Sequence, residues 1–360
     1  MFQALRMPTA RIAFLIISQM TLVVSATAQT TFEGQTIRIA VNATSGGPSD
    51  LLTRQLAPFL TKLIPGKPSI IVENRPGAGG AVGANYIYGQ AKPDGQTIGF
   101  LTGVLIQGLI GGDNIRFDPA KFQWVGAVSQ TQVLLAAKSL NLSSYRDLVK
   151  PTKPLVLASL GTNSIADLAH RLFLDMVGAK YKVVTGYPGQ PDTLLALGRG
   201  EANLANAGYT FYLSRRETIL QEGTYDAILQ RGEFAPDGAF RRNKQLLEFP
   251  TMIEAITELQ PAALNSVDFA TNRSIVGAFA VHFGYILPPA TAPAIVSMMR
   301  KAFSEALNDP EARALVRKSL MVDYDFVDGV ASQNVVEKIG AEYYADSRIA
   351  ERLKQLMASK

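Results

Sequence analysis

Thr36-Ile37-Arg38-Ile39-Ala40-Val41 leads through Asn42-Ala43-Thr44 into Ser45-Gly46-Gly47-Pro48-Ser49-Asp50, and from there into residues 51–64. The first run reads as a β-strand. The last carries Leu52, Leu56, Phe59, Leu60 and Leu63 at offsets 0, 4, 7, 8 and 11, the stripe of a helix laid on a sheet. Pro48 suits the first helical position and Asp50 the third. A helix opening here has first-turn N–H groups without intrahelical acceptors, beside residues too small to cover them, which suits an anion. Asp50 would repel one, unless it turns back to cap its own helix.

Outward from this unit the alternation of strand and helix continues. A strand is expected over 69–73, then the turn-rich Asn74-Arg75-Pro76-Gly77-Ala78-Gly79-Gly80 and a helix running through Tyr88. Pro93-Asp94-Gly95 turns the chain into a strand over 97–101. A second unit repeats the first: strand 155–159, loop 160–163, and a helix from Ser164 with Ile165, Leu168, Ala169, Leu172, Phe173 and Met176 on one face. Ser164 and Asp167 stand in capping-box relation. The apolar run 275–287 reads as a strand, 295–307 as a helix, Asp309-Pro310 as the start of another, and 335–357 as a last amphipathic segment. The pattern is that of α/β lobes with largely parallel sheets.

Arg6 and Arg11 flank an apolar run over 12–25 that Ala26-Thr27-Ala28 follows, so residues 1–28 read as a cleavable secretory signal peptide. Ser18, Gln19 and Thr21 interrupt the run and keep it short of a membrane span. The remainder, about 330 residues, exceeds what one hydrophobic core holds, and two lobes are expected. The sequence has no cysteine, which excludes disulfides, a lipid-bearing cysteine and thiolate metal sites; 47% hydrophobic residues supply a core instead. Net charge is +5, of which the two leader arginines account for +2, leaving +3, too mild for nucleic acid. Arg241-Arg242-Asn243-Lys244 reads as a solvated loop.

Gly77-Ala78-Gly79-Gly80-Ala81-Val82-Gly83 approaches a dinucleotide fingerprint but has Val82 where the third glycine belongs, so no cofactor is inferred and the glycines read as turn formers. There is neither a phosphate-binding G-x-x-x-x-G-K run nor a G-x-S-x-G elbow. His170 falls within the second helix and His282 in a strand, structural positions for both, and no catalytic residue is assigned. Two histidines without cysteine make no zinc site, and Asp323, Asp325 and Asp328-Gly329 lack the spacing of a calcium loop, reading instead as a solvated turn; no metal is expected. Two strand-to-helix loops rich in small polar residues remain. They are either ordinary capped helices or the two sides of one binding crevice.

The order and spacing of Ile39-Ala40-Val41 through Asp50, of Val72-Glu73-Asn74-Arg75-Pro76-Gly77-Ala78-Gly79-Gly80 and of Ala91-Lys92-Pro93-Asp94-Gly95-Gln96-Thr97 resemble the extracytoplasmic solute receptors of tripartite tricarboxylate transporters, the Bug-type family. Gly161-Thr162, Gly186-Tyr187-Pro188-Gly189, Phe249-Pro250-Thr251 and the stretch 288–310 extend the resemblance over nearly all of the chain after the leader.

The resemblance implies an α/β fold like that of type II periplasmic binding proteins: two doubly wound lobes, a ligand cleft and two hinge crossings. The crossings are expected near Gln132 and Gly277, giving residues 29–132 plus 277–360 to lobe 1 and 133–276 to lobe 2. It further implies a periplasmic receptor, not an enzyme, that holds a small carboxylate and passes it, as a monomer, to a large and a small permease subunit. Thr44, Ser45, Gly46, Gly47, Ser49, Asp50 and Thr102 are the ligand contacts expected from one lobe. Ser159, Thr162, Asn163, Ser164, Asn206 and Tyr209, the last two beyond a strand expected to end near Leu204, are those expected from the other. The chain departs from the family where Asn42-Ala43 replaces a usual Pro-Phe, where Ala207 replaces a frequent Asp, and where 258–274 is longer. A sensor partner in place of a permease is the alternative, and an exported hydrolase a third reading.

Overall fold

Asp309, Asp328 and Ser266 each cap a helix through a side-chain oxygen, and with the proline and glycine signals they punctuate the chain into alternating strands and helices. The computed structural model describes residues 31–160, 165–187, 189–234, 239–320 and 324–358. In chain order the first group of elements is β1 (Thr36–Val41), α1 (Pro48–Leu63), β2 (Ser69–Asn74), α2 (Ala81–Gly89), β3 (Thr97–Thr102), α3 (Val104–Ile110) and β4 (Gln123–Ser129). The second is β5 (Gln132–Ala137), β6 (Leu155–Ala158), α4 (Ile165–Met176), β7 (Tyr181–Val184), α5 (Gln190–Arg199), β8 (Leu204–Gly208), α6 (Tyr209–Glu222), β9 (Tyr225–Gln230), β10 (Glu233–Phe234), β11 (Phe240–Arg241), α7 (Met252–Leu259) and α8 (Val267–Ala280). The chain then forms β12 (Phe283–Leu287), α9 (Pro293–Asn308), α10 (Pro310–Leu320), β13 (Asp325–Asp328), α11 (Gly329–Ala345) and α12 (Ser347–Ala358). No helix of the described residues is long and apolar enough to cross a membrane.

Two main sheets result, with strand orders β13-β4-β12-β3-β1-β2 and β7-β6-β8-β5-β9. Both are mixed rather than largely parallel. The pairs β1–β2, β1–β3, β6–β7 and β6–β8 are parallel, whereas β12, β13 and β5 run against their neighbours. The cause is the path of the chain. Ser129 ends β4 in the first sheet and Gln132 begins β5 in the second, so β5 leaves the junction while its neighbour β8 runs toward it; β12 re-enters the first sheet in the same sense. The carboxyl ends of β1, β3, β4, β6 and β8 therefore meet between the sheets, where open α/β sheets place ligands.

Leu52, Leu56, Phe59 and Leu60 of α1 are buried as the stripe requires, each worth about 2 kcal/mol of apolar burial. One apolar core runs from the first sheet (Leu101, Trp124) through α8 (Ile275, Phe279) into the second (Leu134, Leu157, Leu204). The expected strand over 275–287 is helical as far as Ala280 and extended only from Phe283. A uniformly apolar run carries no period. Packing on both sides makes it a helix: Asn272 Nδ2 donates to Ala169 O of α4 (2.8 Å), while Arg273 pairs with Glu342 of α11 (3.1 Å). Gly277 lies inside α8, where a Cβ would come within 2.4 Å of Ile339.

Three smaller expectations also change. Asp325–Asp328 is β13 rather than a solvated turn, with Asp328 capping α11. Arg241, Arg242 and Lys244 are exposed as a solvated loop requires, whereas Asn243 between them is fully buried. His282 precedes β12 instead of lying in it.

Candidate functional site

At the end of β1 the loop from Thr44 to Gly47 is fixed by side chains reached from three elements. Gly46 takes φ of 79°, a left-handed conformation that favours glycine, and Gly47 opens α1 without a side-chain cap. Asp50 turns back: its Oδ2 accepts from Gly46 N–H (2.9 Å), and both carboxylate oxygens accept from Arg54 Nε (3.0 Å each). Arg54 also donates to Asn74 Oδ1 (3.2 Å), and Asn74 Nδ2 to Ala43 O (3.0 Å), so the Glu73-Asn74-Arg75 stretch braces this loop. Burial pushes the Asp50 carboxyl up, but the bonds from Arg54, Gly46 and Asn74 outweigh it and hold the group below its ordinary value. The carboxylate is thus directed into its own loop and neutralised there.

Asn42 fastens the neighbouring strand ends. Its Nδ2 donates to Gly80 O and Thr102 O (3.2 Å each) and its Oδ1 accepts from Thr102 N–H (2.9 Å). A Cβ at Gly80 would lie 2.4 Å from Asn42 Nδ2 and one at Gly83 2.7 Å from Asn42 Cβ, so these two are close-approach positions, while Gly77 and Gly79 take positive φ as turn formers. Thr102, positioned in this way, brings its hydroxyl 3.4 Å from Ser49 Oγ.

In the second sheet Ser159 follows β6 and Asn206 lies within β8; both are buried. Leu204 opens β8 rather than closing it. Ser159 Oγ and Asn206 Nδ2 donate to the two oxygens of buried Asp167, which also accepts from Leu160 N–H (3.2 Å). Thr162, Asn163 and Ser164 lie outside the described residues, and with them the Ser164 half of the expected capping pair. Asp167, expected from the sequence only as half of that cap, is the hub of this cluster.

Between the sheets lies a cavity of about 310 Å³, within the range of small-molecule sites. Ser49 in the first turn of α1 and Tyr209 at the start of α6 are the two expected residues that line it. Thr44, Ser45 and Gly46 are exposed and, like Gly47, Asp50, Thr102, Ser159 and Asn206, are not part of its wall. The rest of the lining went unread in the sequence. Ser129 and Gln130 come from the passage between β4 and β5, Gln190 from the start of α5, Thr210 and Phe211 from α6, and Phe283 from β12, with Tyr324 just before β13. Gln190 and Tyr209 had a signal: each directly follows a glycine that opens a helix, as Pro48 follows Gly47.

Gly208 leaves room for two amides, Gln130 Nε2 lying 3.0 Å and Gln190 Nε2 3.8 Å from where its Cβ would be. No described lining residue carries a charge. Neither histidine lines the cavity. His170 is buried in α4, and His282 stacks on Phe279 (centroids 4.8 Å apart), its pKa driven down to about 3 by burial and by Arg231. Among the described residues no group of acidic or histidine side chains is arranged to hold a metal ion.

Residues 52–228 match the model of the tripartite tricarboxylate transporter family receptor. The chain belongs to this receptor family. A UPF0065 protein of Agrobacterium vitis is 30% identical over 191 residues, a match covering 50% of this chain and 53% of that protein, about half its length. One from Bordetella pertussis is 26% identical over 287 residues, covering 78% of this chain and 79% of its own. Among solved structures, a TctC solute binding protein from Polaromonas superposes with a TM-score of 0.67 at 18% identity, covering 88% of this chain and 98% of that one. MatC from Rhodopseudomonas palustris with bound malate gives 0.53 at 19% identity over 89% and 98% of the two chains. A second R. palustris protein, with adipate, gives 0.55 at 21% over 89% and 97%. These structures establish the two-lobed fold of the receptor.

Proposed function

We propose that this receptor binds a small carboxylate in the cavity between its two sheets and delivers it, outside the cytoplasm, to a membrane permease. One observation carries the reading: the first turns of α1 and α6, rooted in different sheets, line the same cavity. First-turn N–H groups have no intrahelical acceptor, and two helix starts facing one space meet an anion's charge without a cationic side chain. The solved relatives that hold malate and adipate support the ligand class. The apolar run that follows Arg6 and Arg11 supports export.

Approach of the two lobes about the passages near Gln130 and before Phe283 would exclude water and strengthen those contacts. Calorimetry of the folded chain against a broad panel of mono-, di-, tricarboxylates and aromatic acids tests the reading. At least one ligand with micromolar affinity is expected, and silence across the panel rejects it.

A further inference from the structure

Resting on that reading, we infer that the cavity is built for a monocarboxylate with a flat aromatic body rather than for a di- or tricarboxylate. Three independent features point the same way.

The first is the distribution of charge. Each carboxylate that leaves water loses its hydration, so a wall of neutral donors favours one charge over two. The described lining residues carry no charge, and Arg54 of α1 and Arg231, bonded to Gln130, are committed elsewhere. Arg54 is held by Asp50 and Asn74, and Arg231 donates to Gln132 Oε1 (3.1 Å) and Gln130 O (2.6 Å).

The second is shape and apolarity. Tyr209 and Phe211 come from the α6 side, Phe283 and Tyr324 from the first sheet, so aromatic surface enters the cavity from both lobes. Aromatic side chains on both sides favour a planar apolar ligand over a hydrated polyanion.

The third is a polar atom awaiting a partner. Ser129 is 8% exposed, lines the cavity, and its Oγ has no hydrogen-bond partner although it is buried. Buried hydroxyls are rarely left so. A single ligand carboxylate accepting from Ser129 Oγ and from an N–H of one helix start satisfies it, and the Gln130 and Gln190 amides lie beside the α6 start to complete the contact.

The test is titration calorimetry of the folded chain with benzoate and phenylacetate against malate, adipate and citrate under one buffer. An aromatic acid at least tenfold tighter than the other three is expected. Ser129→Ala should weaken it about fivefold with an unchanged melting temperature, and Gln190→Glu should weaken it more than tenfold by placing a like charge beside the carboxylate. Malate, adipate or citrate equal to or tighter than the aromatic acids overturns the inference and leaves the receptor reading standing. Unchanged aromatic affinity in both variants overturns the cavity assignment, and absence of binding by all five overturns the inference, the receptor reading being decided by the broad panel.

Discussion

The guanidinium of Arg231 lies 3.8 Å from the ring centroid of Phe279, which joins the two passages between the sheets. Arg231 is 1% exposed and follows β9; it grips Gln130 and Gln132 on one passage, and Phe279 stands at the end of α8 on the other. Three segments distant in sequence are thus fastened by one side chain.

Removing that side chain leaves Gln130 O and Gln132 Oε1 without their donor and opens a void beside Phe279. Arg231→Ala is expected to lower unfolding free energy by about 3 kcal/mol. Arg231→Lys should recover little of it, since an ammonium lacks the planar fork that both donates twice and stacks. Urea unfolding of the three proteins gives the comparison, and a lysine variant as stable as the parent would show the stack to be incidental.

His282, sandwiched in the same cluster, carries a pH dependence with a defined sign. Its folded pKa of about 3 lies below the ordinary 6.5, so between these values the unfolded chain holds a proton that the folded chain does not. Stability from this group is therefore unaffected above 6.5 and falls as the pH drops below it, by about 2 kcal/mol at pH 5. Replacing His282 by Gln should remove that slope, read as the variant-minus-parent difference across pH 7 to 5; a difference independent of pH would mean that His282 titrates normally.

Asn42 satisfies one N–H and two carbonyls at the ends of β1, β3 and the glycine run. Asn42→Ala strips those partners in a buried setting and should cost about 2 kcal/mol. Because Thr102 then loses its anchor opposite Ser49, ligand affinity should fall as well. Thermal unfolding paired with titration reads both effects, and a loss of stability with affinity intact would separate Thr102 from the site.

Asp50 acts on the loop rather than on the ligand. Asp50→Ala should lower stability by about 1 kcal/mol at neutral pH, half-exposed Arg54 screening the pair, and change binding less than threefold. Its folded pKa lies below the ordinary 3.8, so the contribution is present above that value and lost as the pH falls through the folded pKa. Denaturant curves at pH 7 and pH 3 should show the gap between variant and parent narrowing; binding abolished without loss of stability would make Asp50 a ligand contact.

The β1–α1 unit was legible because its information is local. A short β-like run gives way to a helical period near 3.6 across Gly46-Gly47-Pro48, and the structure places Pro48 and Asp50 at the first and third helical positions. The same holds for α10, where Asp309 and Pro310 announce the start. The run 275–280 was misread because an all-apolar segment is compatible with a buried strand or a buried helix, and only its neighbours α4 and α11 decide.

The sequence by itself determined the alternation of elements and the two strand-to-helix loops, which rest on residues close together in the chain, and the receptor family, which rests on the order and spacing of several such motifs. Tertiary structure alone decided where the cavity lies and what lines it. Its wall draws on residues from Pro48 to Tyr324, assembled because the chain leaves the first sheet after Ser129 and returns at Phe283. Ser129, Gln130 and Phe283 carry no local mark of such a role; they acquire it from the chain path, which brings the ends of two sheets around one space.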